Sequence, residues 1–183
     1  RQDPDIILVG EIRDSETAEI SIQSALTGHL LFSTLHTNDS AGAISRLLDM
    51  GVENFLLSST LLGVMAQRLV RVICPDCSRR VEPEQKLVTL MKISEDELAK
   101  ITFYEGEGCE ACHYTGFKGR TAIFEYLPVN EAIRKDIINR ASAEEIKKTA
   151  VKSGVRTLRQ DGWEKVKSGV TTISEVLRVT LEN

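Results

Sequence analysis

Apolar residues along the first third of the chain follow two different periods. Ile6-Ile7-Leu8-Val9 is an unbroken apolar run rich in β-branched residues. Such a run suits a strand buried on both faces, as in a parallel sheet. Ala18, Ile22, Ala25 and Leu26 then recur at helical spacing, with Asp14 or Ser15 placed to cap a helix and Gly28 where it would stop. Leu30 to Leu35 reads as a second buried strand. A second helix is predicted from about Ser40 to Met50, ended by Gly51, and a third from about Glu53 to Ala66. Strand, helix, strand, helix is the order of a parallel α/β sheet.

The pattern changes at Cys74. From there to Gly119 the chain carries four cysteines, with prolines and glycines near them, and an insert that opens on the capping-box arrangement Ser94-Glu95-Asp96-Glu97. Thr121 to Leu127 alternates as a strand returning to the sheet. After Pro128 the chain is polar and helical, with further capping boxes at Ser142 to Glu145 and Thr172 to Glu175. The expected division is 1–73 for the sheet, 74–119 for a cysteine module with its helical insert, and 120–183 for a strand and helical tail. The helices from about Asn130 onward are expected to face solvent and neighbouring subunits, and they offer no chemistry.

With 183 residues, 42% hydrophobic and 27% charged, the composition is globular. Aromatics are 5% with Trp163 alone among the tryptophans, so the core must be mostly aliphatic. A net charge of −4 does not supply the basic face that phosphate neutralisation asks of a nucleic-acid binder. The small basic clusters Arg68/Arg71 and Arg79/Arg80 read as solvated surface. No apolar run approaches the length of a bilayer-spanning helix, and cytoplasmic residence is the default expectation. The chain opens at Arg1 in mid-pattern and reads as a piece of a longer protein.

The four cysteines form two C-x-x-C pairs, Cys74/Cys77 and Cys109/Cys112, separated by 31 residues. In a reducing compartment this spacing points to metal ligation before disulfide formation. Two such turns, each offering two thiolates, close a tetrahedral zinc site whatever the loop between them does. Four thiolates leave no open position, so the zinc is expected to be structural. A redox C-x-x-C and four unrelated thiols are the competing readings. His113 is adjacent to Cys112 and reads as a neighbour that could substitute as a ligand.

A buried strand ending in Val9-Gly10-Glu11 holds a carboxylate at the edge where parallel sheets bind ligands. An acid there can organise Mg²⁺ or polarise an attacking water. His29 and His36 bracket the second strand, and an imidazole near a terminal phosphate can donate a hydrogen bond to it. Ordinary structural roles remain open for each of these residues. Seven residues apart on a regular strand, the two histidines would face opposite sides, one towards nucleotide and one stabilising a loop.

Taken together these residues resemble the type II secretion and type IV pilus assembly ATPases. The resemblance spans essentially the whole chain. Arg1-Gln2-Asp3-Pro4-Asp5 and Val9-Gly10-Glu11-Ile12-Arg13-Asp14 are similar to the family's Walker B region. Thr27-Gly28-His29 through His36-Thr37-Asn38 is similar to its histidine box, and Ala66-Gln67-Arg68-Leu69 leads into Cys74-Pro75-Asp76-Cys77 as its tetracysteine element does. Gly119-Arg120-Thr121 and Gly169-Val170-Thr171-Thr172 also fit. The resemblance implies the C-terminal half of a RecA-like motor domain, hexameric in the intact protein and peripheral to the inner membrane. ATP with Mg²⁺ would be hydrolysed there to drive pseudopilus assembly and export, in contact with inner-membrane platform proteins. It implies Glu11 and His36 as catalytic residues, and His29, Arg13 and Arg68 as nucleotide contacts. Cys74, Cys77, Cys109 and Cys112 would hold zinc. The cysteine spacing and the Leu177 to Thr180 ending lean towards the secretion branch, with pilus assembly close behind. The family's phosphate loop is missing, because no G-x-x-x-x-G-K-[ST] occurs in the chain. The chain alone is therefore expected to be inactive. A different class, a zinc-ribbon interaction module without catalysis, would have no need of two parallel strands ending in acid and imidazole.

Overall fold

A computed structural model describes residues 4–91 and 93–181. The elements run β1 (Ile6–Val9), α1 (Ser15–Leu26), β2 (Leu30–Ser33), α2 (Ser40–Asp49), α3 (Asn54–Thr60), β3 (Gly63–Ile73) and β4 (Ser78–Val81). They continue with α4 (Gln85–Met91), α5 (Glu95–Leu98), β5 (Phe103–Gly106), a 3-10 turn (Glu110–Cys112) and β6 (Phe117–Pro128). The chain ends in α6 (Glu131–Ile138), α7 (Ala143–Lys152), α8 (Leu158–Lys167) and α9 (Ile173–Thr180). It divides into two compact units, Arg1–Ala66 with Tyr126–Val155, and Gln67–Glu125 with Arg156–Asn183. The chain passes from the first unit to the second inside β3 and returns inside β6.

In the first unit β1 and β2 pair in parallel, Ile6 opposite Leu30 and Val9 opposite Ser33, joined by α1. The Asp14 carboxylate accepts the Thr17 N–H at 2.8 Å and starts α1 where the sequence signals it. That hydrogen bond holds the Asp14 carboxyl below its ordinary range. Asp39 caps α2 in the same way through Gly42 N–H, and Gly51 follows that helix at a φ of 93°. One apolar core gathers Ala18, Ile44, Leu57, Leu127, Ile133 and Ile146.

Three expectations change here. The parallel strands are covered on one face only. Ile7 and Val9 lie partly buried, whereas Ile6, Leu8, Leu30 and Phe32 point into solvent. The third helix is short, and β3 begins at Gly63. From Val64 to Val70 burial alternates residue by residue, the period of a strand with one buried face. The Leu-rich stretch before it satisfies both periods, which is why it read as helix. The tail helices are not merely solvent-facing. Ile133, Ile137, Ile146 and Ala150 of α6 and α7 are buried in the first unit's core.

In the second unit β4 pairs antiparallel with β5, Ser78 opposite Gly106 and Val81 opposite Phe103. Phe103, Val166, Ile173, Val176 and Leu177 form its core, with Trp163 against Phe103 at a ring separation of 6.1 Å. Helices α8 and α9 meet closely at Gly162, where an added Cβ would lie 2.5 Å from Val176 Cγ1. β6 reaches from Phe117 to Pro128 and pairs with β3, not with the β1–β2 sheet. The units therefore do not coincide with the segments 1–73, 74–119 and 120–183, because the tail's apolar residues are shared between two cores.

Candidate functional site

Two constellations stand out, one in each unit. In the first, Glu11 lies two residues beyond β1, at the carboxyl end of the parallel pair. Its parity along the chain is that of Ile7 and Val9, and its side chain is 21% exposed. Arg13 Nε donates to Glu11 Oε2 at 2.6 Å. His36 Nε2 lies 2.5 Å from Glu11 Oε1, on a side chain that is 86% exposed. That contact is at ion-pair distance but off the line of a hydrogen bond, and Oε1 is buried without a hydrogen-bond partner among the described residues. The result is a partly desolvated carboxylate flanked by a guanidinium and an imidazole. Such a group can accept a proton, orient a water or ligate a hard cation.

The structure brings Glu11, Arg13 and His36 together. His29 is engaged elsewhere. Its Nδ1 lies 3.0 Å from the Ser24 carbonyl and 3.0 Å from Thr27 Oγ1, at the end of α1. A carbonyl only accepts, so Nδ1 carries the proton. Arg68 lies half-buried on β3 in the second unit, at the same parity as the buried Val70.

The second constellation is the four cysteines. Cys74 Sγ to Cys109 Sγ is 3.9 Å, Cys77 to Cys112 is 3.9 Å and Cys109 to Cys112 is 3.8 Å. All four sulfurs lie within 4.8 Å of one another. A disulfide would need about 2.05 Å. A tetrahedron with metal–sulfur bonds of about 2.3 Å has edges of about 3.8 Å, so the cluster has the dimensions of a tetrathiolate metal site.

The backbone prepares these sulfurs. Gly108 N–H donates to Cys77 Sγ at 3.3 Å, and Cys112 Sγ accepts from Cys109 N–H at 3.2 Å and Gly116 N–H at 3.3 Å. The amides at Cys112 hold its thiol down to about 6, whereas burial pushes Cys77 up to about 12 and raises Cys74 as well. Gly116 also ties the two knuckles, since its carbonyl accepts from Cys74 N–H at 2.9 Å. A Cβ at Gly106 would fall 2.0 Å from that carbonyl oxygen, so only glycine fits this crossing. His113 is exposed and stands outside the cluster.

The family described as Type II/IV secretion system protein matches residues 1–178. The chain belongs to this family. It is 53% identical over 182 residues to the type IV pilus assembly ATPase PilB of Thermus thermophilus, covering all of this chain and 20% of that protein. It is 51% identical over 182 residues to the type II secretion system protein E of Pseudomonas aeruginosa, covering all of this chain and 36% of that one. The chain thus spans a minor part of the length of these relatives. Among solved structures it is similar to the pilus retraction motor PilT with bound ADP, with a TM-score of 0.65 and 26% identity over all of this chain and 41% of that chain. The fold is accordingly the mixed α/β fold of these secretion ATPases, with a tetracysteine metal site.

One group of residues escaped the sequence reading. Glu175 of α9 is fully buried and accepts from Arg71 N–H at 3.0 Å and Arg71 Nη2 at 2.6 Å. Arg178 donates to the same carboxylate at 2.8 and 2.9 Å, and the Arg71 guanidinium stacks 4.2 Å over Phe117. The Thr172 to Glu175 capping box is therefore half formed. Thr172 accepts from Glu175 N–H, but the glutamate side chain turns to the arginines. The pairing spans 104 residues, and nothing local signals it.

Proposed function

We propose that this chain is part of a motor ATPase whose ATP hydrolysis drives pseudopilus assembly and protein export by type II secretion. The observation that carries the reading is Glu11, a part-buried acid at the carboxyl edge of a parallel strand pair with Arg13 and His36 on its carboxylate. In this reading Glu11 orients the attacking water and a Mg²⁺ that would neutralise charge on the transferred phosphoryl group. Arg13 and His36 then stabilise negative charge as it develops, with His29 as a further nucleotide contact. Type IV pilus assembly is the second reading, favoured by the 53% identity to a pilus assembly ATPase. The parent protein acts as a cytoplasmic hexamer at the inner membrane, against platform proteins of the secretion machine. Zinc on Cys74, Cys77, Cys109 and Cys112 is structural. No helix among the described residues is long and apolar enough to cross a membrane.

The test is Glu11→Gln in the longer ATPase that carries this chain. Nucleotide binding is expected to persist while turnover falls roughly a hundredfold, the scale of losing one group aimed at transition-state charge. Wild-type turnover in that variant would refute the reading. The chain by itself has no Gly-rich loop and lysine to cradle the β- and γ-phosphates. The purified 183-residue chain is therefore expected to show no ATP hydrolysis, and phosphate release above a protein-free control would contradict this.

A further inference from the structure

We infer that Thr34 is a positioning residue for Glu11, an inference that rests on the reading of Glu11 as the acid of the nucleotide site. Two hydrogen bonds straddle Glu11, and both go to Thr34. The Thr34 hydroxyl donates to the Gly10 carbonyl at 2.7 Å. The Thr34 carbonyl accepts the Ile12 N–H at 3.0 Å. Glu11 is the residue between those two peptide groups, so its backbone is fixed on both flanks by one partner. Ile12 adds a third anchor, because its side chain is buried in the core.

The placement of Thr34 couples this clamp to the imidazole. Thr34 follows the last residue of β2, and His36 lies two residues further on. Leu35 between them packs against the core of the first unit. The short segment Thr34–His36 thus supplies both the clamp on the Glu11 backbone and the ring beside its carboxylate. If the hydroxyl bond is lost, Gly10–Glu11 can shift relative to His36 while Ile12 and Leu35 stay put. A displacement of about 1 Å at a reacting centre is enough to lower a rate by up to about a hundredfold.

Thr34 and Gly10 are exposed, so water can replace the lost partner and the fold loses little. That separates a positioning role from a merely structural one. In the longer ATPase, Thr34→Val removes only the hydroxyl, Thr34→Ser keeps it, and Glu11→Gln serves as the reference. Steady-state turnover, nucleotide KM and thermal melting are measured on all three. Thr34→Val is expected to lower kcat by about tenfold or more, leave KM within about twofold, and melt within a few degrees of wild type. Thr34→Ser is expected to restore kcat. The inference is overturned if Thr34→Val keeps wild-type kcat while Glu11→Gln is dead, or if Thr34→Ser is as slow as Thr34→Val. A Thr34→Val loss that appears as raised KM or as a collapsed melting temperature overturns it too. Wild-type turnover in Glu11→Gln would instead sink the reading of the acid itself, and the role of Thr34 with it.

Discussion

Stripping zinc from the purified chain with a strong chelator is expected to lower its thermal midpoint by about 10 °C or more. The Cys74–Cys109 and Cys77–Cys112 contacts each join one knuckle to the other, beside the Cys74–Gly116 and Glu107–Cys77 backbone hydrogen bonds. Without a cation, four converging thiols gain nothing from their proximity, and any that ionise repel each other. Structural zinc contributes about 10–16 kcal/mol of folding free energy in zinc-finger peptides. The second unit has an apolar core of its own, so a smaller share, about 4 kcal/mol, is expected to appear as lost stability. At roughly 2–4 °C per kcal/mol for a chain of this size, that is the stated shift. Cys112→Ser is expected to reproduce it without chelator, because a neutral hydroxyl then replaces one of the four thiolates that close the tetrahedron. Elemental analysis is expected to find one zinc per chain. An unchanged melt after complete chelation would show that the site does not support the fold.

How much of this was legible in the sequence depended on whether the signal was local. Asp14 before Ala18 and Ser142 before Ile146 announce helix starts about one turn ahead, and both cap as expected, whereas the cap of α2 by Asp39 was not anticipated. The cysteine cluster was legible because each C-x-x-C turn fixes half a tetrahedron by itself. Glu11 and His36 were legible as candidates because each follows an apolar strand, and the parallel register brings the ends of those strands together. The start of β3 was lost where Leu56, Leu57, Leu61 and Leu62 fit both periods. The partition into units was lost because two of the three crossings fall in mid-strand, inside β3 and β6, where no break in the apolar pattern marks them, while the third lies between α7 and α8 at Val155–Arg156. Thr34 was visible only as a member of the histidine-box segment, and its contact was not, since a threonine hydroxyl reaching a carbonyl 24 residues away leaves no mark on composition or spacing.

Glu175→Ala is expected to destabilise the second unit by about 3 kcal/mol in urea denaturation, the low end of the range for breaking a buried pair. The carboxylate is only 2% exposed, and its removal leaves Arg71 N–H and two guanidiniums without their acceptor. The arginines are 46% and 54% exposed, so water recovers part of the loss, which keeps the figure from running higher. The same group makes a pH prediction. Although burial raises its pKa, the hydrogen bonds from Arg178 and Arg71 outweigh that and hold Glu175 down to about 2, against an ordinary 4.5. A lowered folded pKa means the charged form is favoured by folding. Its contribution is complete above about pH 4.5 and is lost as the pH falls towards 2. Glu175→Gln keeps the shape but not the charge. It is expected to be less stable than wild type at neutral pH and to close that gap between pH 4.5 and 2. A gap that stays constant through that window would show that Glu175 acts by packing alone, and that the two arginines on its carboxylate contribute no net charge stabilisation.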